Sequence, residues 1–453
     1  MFREWLNKVP LRGPCKNRSM ASPVTPPRGM RDFLPGEKAR RERVLDVIRS
    51  TYRAHGFDEV ETPVMEEAER LHSGLGGDNE KLAFAVLRRG LTADDLAQAN
   101  DPAALADLGL RFDLTVPLAR FVATHRAELP SVFRAIQLGP VWRAERPQKG
   151  RYRQFMQCDI DILGEPGIQA EAELLVATLA TVDALGLTGA MIRVNDRRLL
   201  VGMLEQFGFA PSEFDSVLIT IDKLDKVGPD GVVKELRERG VTPAAVDAFD
   251  AFLRRPAGPA PQPFGEGAIR DALPPDADES VIAQLVELGH AVRTARGTGP
   301  DQTVLEFDPF LVRGMGYYTG AIFELAHPEV PYSLGGGGRY DGMVGRFLGT
   351  EVPAAGMSLG FERIVDLLDV EDSESGGVAL VAEDGVPIAE LLGLQAQLVS
   401  QGRRTRIERR ARNMAPLLQH LADSGFAEFA YVPPGTTLDA LEFRPIGAED
   451  PRG

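Results

Sequence analysis

The segment VWRAERPQKGRYRQF, residues 141–155, gathers Arg143, Arg146, Lys149, Arg151 and Arg153 around one acid, Glu145. The whole chain carries a formal net charge of −15, so this is a local reversal of sign. Arginine binds phosphate oxygens bidentately through a rigid fork, and several on one loop suit a triphosphate or a nucleic-acid backbone. A solvated hairpin tip is the alternative that composition leaves open. The following strand, FMQCDIDIL, tips the balance. Alternation puts Phe155, Gln157, Asp159 and Asp161 on one face and Met156, Cys158, Ile160 and Ile162 on the other. Carboxylates beside a phosphate-binding loop suit a cation, such as an amino group or an imidazole. The combination implies a site pairing ATP with a small cationic substrate.

Two glycine-rich stretches add to it. LVRGMGYYTG, residues 311–320, sets Arg313 just before Tyr317 and Tyr318, with glycines that permit close backbone approach. SLGGGGRYDG, residues 333–342, reads as a second glycine-rich turn. It lacks the Gly-Lys-Ser/Thr ending of a phosphate-binding P-loop, so it reads as a tight pocket wall. GMSLG, residues 356–360, formally matches a serine-hydrolase elbow. The only later histidine, His420, lies in an ordinary amphipathic helix, so the glycines are better read as letting a strand pass under a ligand. A helix is expected to begin near Phe361, with Arg363 on its first turn. QGRRTRIERRAR, residues 401–412, is a solvated helix face or an RNA-contact patch, with the solvated face preferred.

The rest of the chain must position these groups. A length of 453 residues implies two or three domains, and 43% apolar with 26% charged residues is ordinary for a soluble globular protein. No apolar run is long enough to span a membrane, and the basic start has no secretory core, so the cytoplasm is the expected compartment. Two distant cysteines and six histidines offer neither a disulfide framework nor metal-ligand spacing, so no protein-held metal is expected. Residues 1–27 read as a disordered leader, with Met20 a candidate start. Val44, Ile48 and Tyr52 form one stripe of a helix ending at Gly56. DEVETPVME reads as a strand interrupted by Pro63, which a ladder tolerates at an edge, end or bulge. The expected organisation is a catalytic core in two parts, 28–190 and 301–372, around a helical insertion, 191–300. A small α/β domain, 377–453, follows in strand-helix-strand-helix-strand rhythm.

Together these stretches resemble the histidyl-tRNA synthetase family, of the class II aminoacyl-tRNA synthetases. RGMRDFLP and FDEVETPVME look like the family's start and its dimer-forming motif 1, with Pro63 as the characteristic proline. VWRAERPQKGRYRQF looks like motif 2 and AAGMSLGFERI like motif 3. LVRGMGYYTG and SLGGGGRYDG look like the two histidine-specific signatures, and LRFDLTVPLARF like another pocket segment. The likeness runs from about residue 28 to residue 368. It implies an α/β fold of α+β type, with a mixed, largely antiparallel sheet flanked by helices. It also implies that Arg143 and Arg151 grip the ATP phosphates, Glu145 the adenine amino group, and Arg363 the terminal phosphate, while Arg313 meets the α-phosphate. Asp113, Thr115 and Gln157 would hold the amino group of histidine. Asp161 and Tyr318, beside Tyr317, would read its imidazole.

The implied partners are ATP with Mg2+, L-histidine, tRNA(His) and a second copy of the chain. Two departures stand out: Gly316 replaces the aspartate usual in Arg-Gly-Leu-Asp-Tyr-Tyr, and the region after residue 376 keeps little of the anticodon-binding pattern. The competing readings are a non-catalytic histidine-binding regulator of histidine biosynthesis and a paralogue that activates histidine for another acceptor. The regulator has no need of Arg143, Arg151 and Arg363, all present here.

Overall fold

The computed structural model describes residues 24–72, 82–148, 150–255, 264–297, 304–313, 316–368 and 376–447. Most of the leader, Lys149 of the basic loop and the residues 373–375 beside the expected boundary lie outside them. The chain divides into two compact units, Met1–Arg31 with Leu45–Leu368, and Asp32–Val44 with Asp369–Gly453.

The first helix among the described residues spans Pro35–Ala54, and the stripe of Val44, Ile48 and Tyr52 is buried. The expected strand around Pro63 is two short ones, β1 (Asp58–Glu59) and β2 (Met65–Glu67), which belong to different sheets. Pro63 sits where the chain changes sheet and no ladder hydrogen bond is asked of it. The buried Arg111 guanidinium fastens this crossing by donating to Thr62 O at 2.8 Å, and also to Pro140 O at 3.0 Å. β2 pairs with β4 (Ala106–Leu110), which also pairs with β3 (Phe84–Leu87).

The main sheet adds β5 (Phe133–Trp142), β6 (Gln154–Leu163), β7 (Met191–Asp196), β8 (Leu305–Phe307), β9 (Ala321–Ala326), β10 (Gly335–Arg339) and β11 (Ala354–Leu359). Its order is β1-β5-β6-β11-β10-β9-β7-β8. The central pairs from β5 to β7 are all antiparallel, and only the outer pairs β1/β5 and β7/β8 are parallel. The sheet is therefore mixed and largely antiparallel. Cys158, Ile160 and Ile162 of β6 are fully buried on the face covered by helix Gln169–Ala184.

Two sequence expectations change here. SLGGGG is a central strand, not a turn. Glycine is a poor strand former, but the neighbours leave no room for anything else: a Cβ on Gly337 would run into the backbone of Gly356, with Met357 Cα at 2.8 Å. The helical insertion starts later than residue 191, because β7 is an integral strand paired with β9 and β8. The helices from Arg197–Phe207 to Glu279–Arg296 share the unit of the sheet, around a cluster of Phe207, Phe209, Phe249, Phe252 and Phe310.

The second unit carries β12 (Gly377–Ala382), β13 (Thr405–Arg409), β14 (Phe426–Val432) and β15 (Arg444–Pro445), in the order β13-β12-β14-β15. Helices Ile388–Ser400 and Met414–Asp423 pack on separate clusters, with Val378, Leu380 and Ala382 on one side of β12 and Ala379 and Val381 on the other. The arginine run at 401–412 is not a helix face, because Thr405–Arg409 forms the parallel edge strand β13. Arg404 and Arg406 lay their guanidinium groups over Phe426 at 4.5 and 4.6 Å, so aliphatic stems and rings share one surface.

Gly337→Ala is expected to lower stability by on the order of 3 kcal/mol, at the upper end of overpacking costs, because rigid backbone opposes the new methyl group. Gly202, in helix Arg197–Phe207 with open space around it, is the control. Gly202→Ala should be neutral or stabilising by about 0.5–1 kcal/mol. Melting midpoints of the two variants against the parent test this, and equal midpoints would refute the packing account.

Candidate functional site

The β5–β6 hairpin carries the basic loop between its strands, and Arg143 leaves β5 with its Nε donating to Phe112 O at 2.9 Å. Its guanidinium lies 5.1 Å from the centroid of the Phe155 ring. Arg153 closes the base of the loop through Glu145 O at 3.1 Å and a backbone bond to Gly29 O at 2.7 Å. Further out, Arg151 meets Glu145 at 3.3 Å. Arg363, on the first turn of helix Phe361–Leu367, donates to Ser333 O at 2.5 Å and approaches the Tyr332 ring. Burial, and then the positive charges of Arg151 and Arg313, pull the Arg363 pKa below the ordinary arginine value. Three elements thus bring like charges together, an arrangement that a bound polyanion relieves.

Carboxylates gather at the other end. Asp113 and Asp161 are buried, as are Gln157 and Asp159 on the same face of β6 as Asp161. Asp113 Oδ1 accepts from Val116 N at 3.2 Å, just ahead of helix Thr115–His125. Asp161 Oδ1 accepts the Tyr340 hydroxyl at 2.5 Å. Its Oδ2 and the Gln157 Oε1 are buried acceptors with no protein donor among the described residues. Burial raises the Asp161 pKa to about 7, with Asp113 pushing the same way and the Tyr340 hydrogen bond opposing. Asp159 is raised well above the carboxylate range by burial and by Asp161, with the Ser358 hydroxyl opposing. Buried acidic groups left with spare acceptors fit a cationic ligand that brings N–H donors.

Arg313 joins the two ends. Its Nη1 donates to Glu324 on β9 at 3.0 Å, and its guanidinium fills the place where a side chain on Gly336 would stand. The Tyr317 and Tyr318 rings are 4.7 Å apart, and Tyr317 lies edge-on to Tyr340 at 6.0 Å. One cavity of about 1560 Å³ is lined by Asp113, Thr115, Arg143, Glu145, Arg151, Gln157, Asp161, Arg313, Tyr317, Tyr318 and Arg363. Pro63 is not among its lining residues.

The sequence reading assigned Asp161 and Tyr318 to the imidazole and did not single out Tyr340, whose hydroxyl donates to Asp161. Sequence reasoning missed Tyr340, Glu324 and Ser358, whose Oγ accepts from Gln157 Nε2 at 3.2 Å. The available signal was alternation, which puts Glu324 on one face of AIFELA and Ser358 on one face of AAGMSL. Which face meets the site depends on strand pairing. Gly316 does not line this cavity. It borders a neighbouring one behind Tyr317 and Tyr318, and a Cβ there would meet nothing within 4 Å.

A family model described as histidyl-tRNA synthetase matches residues 29–364. The chain is 57% identical over 437 residues to a histidine–tRNA ligase of Leifsonia xyli subsp. xyli, covering 94% of this chain and 99% of that one. It is 42% identical over 435 residues to a probable histidine–tRNA ligase of Tropheryma whipplei, covering 92% and 98%. The crystal structure of a histidyl-tRNA synthetase from Nostoc sp. PCC 7120 superposes with a TM-score of 0.73 at 24% identity, over 94% of this chain and 96% of that one. An ATP phosphoribosyltransferase regulatory subunit/histidyl-tRNA synthetase from Bacillus halodurans gives 0.70 at 18% identity, over 93% and 100%. These two share the fold.

The Asp161 pKa makes a prediction about stability. Its folded value of about 7 exceeds the ordinary carboxylate value of 3.8, so between them the folded state holds the proton more tightly than the unfolded chain. Stability from this group is present at low pH and lost as pH rises through that window. The melting midpoint of the parent minus that of Asp161→Asn should fall from about pH 4 to about pH 7 and then level off. A difference independent of pH would show that Asp161 titrates normally.

Proposed function

The chain belongs to the histidyl-tRNA synthetase family and is a histidine–tRNA ligase, and from that premise we propose how its site carries out the reaction. The observation that carries the proposal is the division of one cavity into a crowded arginine end and a buried carboxylate end with unpartnered acceptors. ATP suits the first and histidine the second.

Arg143 and Arg151 hold the ATP phosphates, Glu145 accepts from the adenine amino group, and Arg363 binds the terminal phosphate. Asp113, Thr115 and Gln157 hold the histidine amino group. Asp161, fixed through Oδ1 by Tyr340, accepts an imidazole N–H on Oδ2, with Tyr317 and Tyr318 walling the ring and the Tyr318 hydroxyl serving its other nitrogen. The histidine carboxylate attacks the α-phosphorus, pyrophosphate departs, and histidyl-adenylate forms. A terminal ribose hydroxyl of tRNA(His) then takes the histidyl group and AMP leaves. Charge grows on the α-phosphate during attack, and Arg313 meets it with a preorganised guanidinium, an electrostatic role.

Mg2+ enters with ATP as part of the substrate and supplies charge neutralisation along the triphosphate. Among the described residues no group of three or more His, Cys, Asp or Glu side chains is arranged to hold a metal ion. The proposed setting is the cytoplasm, where tRNA is charged for translation. Among the described residues no helix is long and apolar enough to cross a membrane.

Histidine-dependent ATP–pyrophosphate exchange, followed by charging of a tRNA(His) transcript, is the direct test. A folded sample that exchanges no pyrophosphate with histidine and Mg·ATP would overturn the reading. Asp161→Ala should weaken histidine by about 2–4 kcal/mol, as for one side of a buried charged hydrogen bond, and leave ATP affinity nearly unchanged. Equal weakening of both ligands would make Asp161 structural.

The protein is also proposed to be a homodimer, paired through a surface that includes residues 58–66, where Val64 and Met65 are exposed apolar side chains. Light scattering at micromolar concentration should give twice the chain mass of 49.2 kDa. A monomer would contradict the pairing.

A further inference from the structure

Residues that face each other on neighbouring strands project from the same side of the sheet. The pairing registers place Arg193 on β7 opposite Glu324 on β9, and Glu324 opposite Gly336 on β10. This row has a charged side chain on each of two strands and none on the third. Arg313 arrives from the loop before β9 and lays its guanidinium in the space above Gly336. It thereby stands as a cross-strand neighbour of Glu324, and Nη1 meets Glu324 Oε2 at 3.0 Å. The other carboxylate oxygen, Oε1, lies 3.9 Å from Arg193 Nη1. Arg193 is held in turn by Asp225 at 3.1 Å and lies near Asp308 at 3.9 Å.

We propose that Glu324 is a positioning residue for the adenylation step: it holds the Arg313 guanidinium over Gly336, in register with the place where the α-phosphate is attacked. The inference rests on the reading of Arg313 given above and extends it to a residue outside the recognised motifs. Two physical needs point to a carboxylate at this position. Arg313 stands close enough to Arg363 to lower its pKa, so an unanchored Arg313 would be driven away from that end of the cavity. An arginine side chain also has many rotamers, and a preset geometry makes a charge useful in the transition state without reorganisation. Among the described residues the Glu324 bond engages Nη1 alone, so Nε and Nη2 remain as donors for phosphate oxygens. Arg193 faces the other carboxylate oxygen of Glu324 from the far side and helps to aim it. Glu324 lines the same cavity, and the role inferred for it is exerted through Arg313.

The test is a double-mutant cycle on histidine-dependent ATP–pyrophosphate exchange. Glu324→Gln keeps the shape and an acceptor but removes the charge. It is expected to lower kcat roughly ten- to a hundredfold, the scale of a misplaced catalytic group, with KM for histidine within about twofold of the parent. In an Arg313→Ala background the same substitution should change kcat by less than about twofold, because nothing is left to position. Glu324→Asp, with the charge set back by one methylene, should recover part of the lost rate. Equal losses from Glu324→Gln in both backgrounds would overturn the inference, as would a rise in histidine KM as large as the fall in kcat, or parent-like activity. Melting midpoints for each variant separate misfolding from these outcomes. If the parent itself shows no exchange, the functional reading and this inference fall together. If exchange is intact and the effects are additive, only the inference does.

Discussion

The site depends on three side chains that are missing from the sheet. At Gly336, Gly338 and Gly356, a Cβ would collide with the Arg313 guanidinium, the Tyr318 ring and the Asp161 carboxylate respectively. These glycines lie on the same face of adjacent strands, since Gly338 pairs with Gly356 and Gly336 is two residues along. The vacated surface is filled from elsewhere: Arg313 and Tyr318 come from the loop before β9, and Asp161 leans across from β6. Such close approach is open only to residues without a side chain. The poor strand propensity of four consecutive glycines is offset by ladders on both sides of β10, with β9 and with β11.

The same sheet sorts charge. One row runs from Arg193 and Glu324 through Gly336 to Ser358, Asp159 and Gln137, one residue from each of six strands. Basic groups brought by the hairpin loop and by helix Phe361–Leu367 surround one part of the cavity, and the acids of β6 with Asp113 surround another. Each cluster is strained by its own like charges. Burial first, and then that repulsion, lowers the Arg363 pKa and raises the Asp159 and Asp161 pKa values. A fold that holds such clusters without neutralising them internally is organised around ligands that carry the opposite charges. The opposite face of the sheet carries an ion pair closed within the protein. There Arg339 on β10 closes a buried, bidentate pair with Glu171 of the covering helix at 2.6 Å on both oxygens.

Much of this was legible in the chain. Alternation in FMQCDIDIL put the acids on one face and the core on the other, because a strand repeats every two residues whatever its neighbours are. The arginines of residues 143–153 stood out against an acidic chain, and the helical stripe Val44, Ile48, Tyr52 followed from spacing alone. SLGGGG was misread as a turn because glycine's local preferences favour turns, and only crowding between β9 and β11 reverses them. The run QGRRTRIERRAR was misread as a helix face because arginine is a good helix former. There Thr405 and Ile407, pairing beside β12, decided for a strand.

What the sequence determined by itself was therefore the inventory: which side chains carry charge, which alternate, and where glycine makes room. Their partners were decided by the tertiary structure. Tyr340 donates to Asp161 and Glu324 holds Arg313 because the assembled sheet brings together side chains that spacing along the chain does not pair. A one-residue slip in any of these ladders would send each side chain to the opposite face, so the contacts belong to the sheet as a whole and not to any segment of it.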